Sequence, residues 1–188
     1  NAFTNNGTVT VSDSGITITC GSVVNRGKLS FGSNSLNCND FENRGTLSFT
    51  GNLDVTNNAT FTRDFTNEGT INVSKNATFS DTFTNKGNLS VIGDGTFSYE
   101  VNNSGTISIS NKANFDASLI NYGTITCGSG DFTVTGTTSA TGTISAGGDI
   151  TFGGNADVAG VTSQSGVISF TGDATASGAI SADGDITF

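Results

Sequence analysis

Asn103-Ser-Gly-Thr-Ile-Ser-Ile109 and Asn121-Tyr-Gly-Thr-Ile-Thr-Cys127 lie 18 residues apart and share one pattern: an Asn, a Gly two residues on, then apolar residues in every second place. The pattern extends in both directions. Upstream stand Gly7-Thr-Val-Thr-Val11, Gly27-Lys-Leu-Ser-Phe31, Gly45-Thr-Leu-Ser-Phe49, Gly69-Thr-Ile-Asn-Val73 and Gly87-Asn-Leu-Ser-Val91; downstream stand Gly142-Thr-Ile-Ser-Ala146, Gly160 and Gly178-Ala-Ile-Ser-Ala182. Successive glycines are 20, 18, 24, 18, 18, 18, 19, 18 and 18 residues apart. A period held this way marks a repeat architecture, in which each unit buries its apolar face only by stacking on the next.

Within the repeat the apolar residues fall into columns. Two places after the Gly come Leu29, Leu47, Ile71, Leu89, Ile107 and Ile125; ten after it come Phe79, Phe97 and Phe115. Four before it come Phe3, Phe41, Phe65 and Phe83, read here as one core Phe column. The alternation has period two, so these side chains share one face of a strand and the intervening Thr and Ser face outward. No stretch sustains the 3.6-residue period of a helix. The expected fold is all-β, a parallel β-solenoid (β-helix) with about 18 residues per coil and roughly ten coils. Right-handed winding is preferred over a left-handed, three-sided coil, which spacings in multiples of six also suit. Coils stacked at ~4.8 Å would make a rod of roughly 50 Å. Residues 1–188 read as a single solenoid, with Phe- and Asn-laddered coils over 1–140 and slimmer Gly- and Ala-rich coils over 141–188. The six residues by which the 45–69 interval exceeds the period are expected to form a bulge or loop around 51–58.

Asn recurs two places before the Gly at Asn5, Asn25, Asn43, Asn67, Asn85, Asn103 and Asn121, which predicts one continuous corner ladder. Asn and Gly both tolerate positive φ, and stacked Asn side chains can bond to one another along the axis. The chain has no Pro, as expected where nearly every backbone N–H pairs with a neighbouring coil.

Composition narrows the function. With 26 Gly, no His, Met or Trp, 12% charged residues and 14 Phe at regular intervals, the chain can bury a long, thin core and is not a disordered segment. A net charge of −9 and seven scattered basic residues argue against nucleic acid. No apolar run has the length of a membrane-spanning helix. Without His, and with Asp and Glu scattered, no catalytic cluster assembles, so neither an enzyme nor a cofactor is expected. The sequence opens at Asn1 without Met and shows no capping element, which suits either a subunit that stacks head to tail or a window of a longer repeat protein. The residues that would meet in such stacking are Asn1, Ala2 and Phe3 at one end and Ile186 and Phe188 at the other.

Other residue types have a functional and a structural reading side by side. Cys20 and Cys38 are one coil apart, so they form either a disulfide or a pair of small core residues. Cys127 takes the column position of Ile109. Gly147-Gly148-Asp149 and Asp183-Gly184-Asp185 suit calcium-binding turns or solvated corners. The outward Thr and Ser are a candidate water-ordering array, interrupted by Lys28, Asn72, Asn88 and Val161. Asn-x-Ser/Thr triplets at Asn6, Asn58, Asn72, Asn76, Asn88 and Asn102 are candidate glycan acceptors outside the cell. Tyr99, Glu100 and Tyr122 are the only exposed patch the sequence offers a ligand.

Gly142-Thr-Ile-Ser-Ala-Gly-Gly-Asp-Ile-Thr-Phe152 and the Asn-x-Gly-Thr-Ile strands resemble the repeats of filamentous-haemagglutinin-like adhesins and autotransporter passengers. That resemblance implies a right-handed parallel β-helix, exported and displayed on a cell surface. The Asn/Thr/Gly-rich repeats also look like archaeal sheath and functional-amyloid coat proteins. The expected function is an extracellular structural protein that self-assembles head to tail into a filament or sheath. The alternative is an adhesin passenger that binds a cell-surface ligand, glycans included.

Overall fold

The computed structural model describes all residues, 1–188, and every regular element in it is a β-strand. One regular coil shows how the sequence makes the fold. Thr70–Val73, Ala77–Phe79 and Phe83–Asn85 are three short strands joined by tight corners, and the next coil returns at Asn88–Val91. The coil is therefore three-sided. Each side pairs in parallel with the side 18 residues on: Ile71 with Leu89, Phe79 with Phe97, Phe83 with Val101. We call these the first, second and third faces. The second face runs unbroken from Ala2–Asn5 to Ile186–Thr187, giving a parallel solenoid of about ten turns.

Alternation decides what points in. On each face two side chains enter the core and the residue between them stays outside, as in Ile107 and Ile109 around Ser108. The inward side chains form one cluster of 41 buried residues from Val23 to Phe170. Like meets like along the axis. Phe61, Phe79, Phe97 and Phe115 stack with ring centroids 4.6 to 4.9 Å apart and planes within 7°. Such pairs add ~0.5–1.5 kcal/mol each beyond the area they bury.

The corner glycines owe their place to crowding, and not to positive φ as the sequence reading held. Only Gly15 and Gly32 have positive φ, and no other residue does. A methyl carbon on Gly87, Gly105, Gly123 or Gly142 would lie 2.0 Å from the carbonyl oxygen of the glycine one coil below. That oxygen points along the axis and accepts the next coil's N–H, as Gly87 does from Thr106 at 2.9 Å. A side chain and an axial hydrogen bond cannot share the space.

The 24-residue interval is not a bulge or loop around 51–58. Asn52–Val55 is a regular strand of the first face, in register with Ser35–Cys38 below and Thr70–Val73 above. The extra six residues are one additional side of the triangle. They carry the Gly-strand motif from the third face, where Thr8–Thr10, Lys28–Gly32 and Thr46–Phe49 pair, to the first, where Thr70–Val73 begins a new series. Two sequence columns are corrected by this step. Phe3 and Phe41 lie on the second face, aligned through Val23, whereas Phe65 and Phe83 lie on the third, and Phe3 is only half-buried. Phe61 bridges them, 5.5 Å from Phe41 and 4.9 Å from Phe65.

Past residue 130 the cross-section is rebalanced. On the second face the inward pair changes from Ala113 and Phe115 to Phe132 and Val134, then Ile150 and Phe152. The other faces lighten where this one grows: Ile125 and Cys127 give way to Ile144 and Ala146, and Asn121 to Ala140. A core packed to constant density demands that compensation.

The glycine column yields a test. Gly105→Ala should destabilise the chain by about 2–3 kcal/mol, because Cβ must displace the Gly87 carbonyl. Gly160→Ala, where the nearest atom to a Cβ is 4.0 Å away, should leave the urea midpoint unchanged or raised.

Candidate functional site

The Asn residues are core groups. All seven are 0 to 4% exposed. Five of them donate through Nδ2 to Oδ1 of the Asn one coil on, at 2.9 and 2.7 Å along Asn5–Asn25–Asn43 and 2.8 Å along Asn67–Asn85–Asn103–Asn121, while Asn43 and Asn121 end the ladders on the carbonyls of Gly45 and Thr143. Nδ2 also reaches a strand carbonyl of the next coil, as Asn85 reaches Thr106 at 3.0 Å. Both amide functions are thus engaged in a site from which water is excluded. The ladder is two ladders, and not the continuous column read from the sequence. Its break follows from the six-residue step, since the side chain above Asn43 is Phe61 and the motif reappears one corner further round.

A second polar ladder escaped the sequence reading. At the corner before the second face, Asn58, Asn76, Asp94, Asp131 and Asp149 each accept, through Oδ1, the backbone N–H of the residue one coil above, at 2.9 to 3.2 Å. The signal was Asn or Asp at an 18-residue spacing. Asp149, a candidate calcium ligand, is spent in this way, and no three His, Cys, Asp or Glu side chains converge as a metal site. Among the candidate glycan acceptors, Asn58 and Asn76 belong to the same ladder and are exposed.

The outward hydroxyls are ordered on the first face, where Thr106, Thr124 and Thr143 form one column and Ser108, Thr126 and Ser145 another. Val161 does not interrupt them. It is buried in the column of Ile144, and Gly160 is the outward residue. Lys28 lies on the third face. Tyr99 and Tyr122 are 56 and 59% exposed but stand on different corners and make no common patch.

Cys20 and Cys38 are in register on adjacent coils of the first face, and both thiols are free. Cys20 is half-buried. Cys38 is buried, and desolvation first, then the neighbouring Cys20, Asp40 and Asp54, push its thiol up to about 12. Cys127, aligned with Ile109 as its spacing implied, is pushed up to about 11 by burial.

The first and last coils share their inward columns. On the second face Ile186 and Phe188 continue the columns that begin at Phe3 and Asn5, and Phe188 is 81% exposed. On the first face Ile180 and Ala182 occupy the columns of Ile18 and Cys20. An edge of one end thus offers the other the same three-sided outline.

The largest surface depression, about 490 Å³, lies at the corner between the second and third faces. Arg26, Arg44 and Arg63 line it, with Asp64 and Asp81 beside them and Gly27 and Gly45 on its floor. These are all the arginines in the chain. The cleft sits at the step, where Thr46–Phe49 and Phe65–Asn67 pack together without a hydrogen-bonded ladder. No sequence motif marked it, because Arg63 falls outside the 18-residue spacing that links Arg26 to Arg44.

No protein-family model, curated protein or solved structure matches the chain. No helix is long and apolar enough to cross a membrane.

Three outcomes test this geometry. Asn103→Ala removes the acceptor of Asn85 and the donor to Asn121, and should cost ~2–4 kcal/mol in urea unfolding. Because Cys38 ionises near 9.0 when unfolded but only near 12 when folded, its contribution to stability is complete below pH 9 and disappears as pH rises towards 12. Cys38→Val should therefore flatten the alkaline fall of the urea midpoint. In Ellman titration at about pH 8, Cys20 should react before Cys38 and Cys127.

Proposed function

We propose that this chain is a structural rod that works outside the cell and lengthens by axial stacking, edge against edge, into a filament or sheath. The observation that carries the reading is that the C-terminal coil lies in the same inward columns as the N-terminal coil on the first and second faces, Ile180 in that of Ile18 and Ile186 in that of Phe3. Placing Phe188 against Asn5 brings together the residue types that meet internally at Asn43 and Phe61, in the opposite axial order. The edge takes any coil of the same outline, in a second copy or in a longer chain. Stacking would cover Ile186 and Phe188, which are 38 and 81% exposed.

A second reading, an adhesive passenger, has one observation in its favour: the chain's three arginines share a single cleft on an otherwise acidic rod.

Negative-stain electron microscopy over a dilution series tests the first reading. Uniform fibres with an axial repeat of roughly 50 Å are expected, set by the ~4.8 Å step between coils. Ile186→Lys with Phe188→Lys should yield single rods of unchanged circular dichroism. Rods of the unaltered chain that stay single at every concentration would refute axial stacking.

A further inference from the structure

One corner of the rod gathers chemistry that the axial reading leaves unused. Arg26 and Arg44 are one coil apart at the corner between the second and third faces, and Arg63 follows on the next coil. Asp81 is one coil above Arg63, and Tyr99 one coil above Asp81, in the register set by Phe61, Phe79 and Phe97. Five adjacent coils thus present Arg, Arg, Arg, Asp and Tyr along one corner, over ~19 Å at ~4.8 Å per coil. The depression beneath the arginines exists because the Gly27 and Gly45 column carries no side chains and because the third-face ladder is interrupted there.

The residue types specify a ligand. A guanidinium presents paired donors that match the two oxygens of a carboxylate or sulfate, which a Lys ammonium does not. Arg44 is held by Glu42, while Arg26 and Arg63 have no carboxylate within ion-pair distance. An anion entering the cleft therefore meets free guanidinium groups. Asp64 and Asp81 accept hydrogen bonds from the hydroxyl groups of a sugar. Tyr99, 56% exposed, offers an aromatic face to the C–H face of a sugar ring. Phosphates pair with guanidinium groups equally well, but a DNA strand offers Asp64 and Asp81 no hydroxyls along its length.

We propose that this corner binds an acidic polysaccharide, laid along the rod axis with its carboxylate or sulfate groups on Arg26, Arg44 and Arg63, its hydroxyls on Asp64 and Asp81, and a sugar ring against Tyr99. The proposal deepens the adhesive reading and is independent of axial stacking, whose edges lie at the ends of the rod.

Titration calorimetry of the whole chain at about 150 mM salt tests it. The probes are an oligogalacturonate, a heparin-derived oligosaccharide, a neutral cello-oligosaccharide and single-stranded DNA. Binding of at least one acidic sugar is expected, with none of the neutral sugar and weaker binding of DNA. Arg44→Ala and Arg63→Ala should each weaken that binding by about tenfold or more, since each loses a charge-assisted pair. Arg63→Lys should recover only part of the loss, Tyr99→Ala should weaken binding, and Lys112→Ala, on another corner, should not. The arginines are exposed, so circular dichroism and melting temperature should be unchanged in every variant. Failure to bind either acidic sugar, binding indifferent to the arginine variants, or DNA bound as tightly through the same arginines would each overturn the proposal.

Discussion

Every feature of this chain answers to the axial hydrogen bond, the pairing of each residue with its counterpart one coil away. Because the strands are parallel and in register, the donor of one coil and the acceptor of the next are fixed in space, and side chains meet their own column. Phe stacks on Phe, Asn bonds to Asn, and a corner glycine remains glycine because the carbonyl below occupies the place of its Cβ. The same constraint accounts for the absence of Pro, which would remove one of these donors.

The constraint also explains how the repeat can be broken. An odd slip within a strand would turn its apolar side chains outward. The first coil, with its 20-residue spacing, and the 19-residue coil before Gly142 place their extra residues outside the second-face strands. The step at residues 45–69 adds one whole side, so each inward column stays inward while the motif rotates by one corner. What suffers is the third-face ladder, which stops at Thr46–Phe49 and resumes at Phe65–Asn67. The repeat departs from its own rule in one place, and all its arginines line the cleft there.

Two kinds of surface result. The faces are flat and mostly uncharged, with hydroxyls and amides between buried columns, as at Thr106, Ser108, Thr124 and Thr126. The corners carry the charge, in the Asp94, Asp131 and Asp149 ladder on one edge and the arginines on another.

The sequence by itself determined the solenoid, its coil length, its approximate number of turns and the inward residues of each strand, because period-two alternation inside an 18-residue period leaves few other ways to bury Phe and Ile. It also named the residues of the Asn ladders and aligned Cys20 with Cys38 and Cys127 with Ile109. It did not reveal that the glycines are fixed by crowding, since a vacancy for Cβ and a need for positive φ select the same residue. Nor did it separate Phe3 and Phe41 from Phe65 and Phe83, because counting from the motif assumes that the motif stays on one face. Only the tertiary structure placed Arg63 beside Arg26 and Arg44: neighbours on a corner are set by how the coils stack, and a single additional side alters that stacking without altering any local pattern.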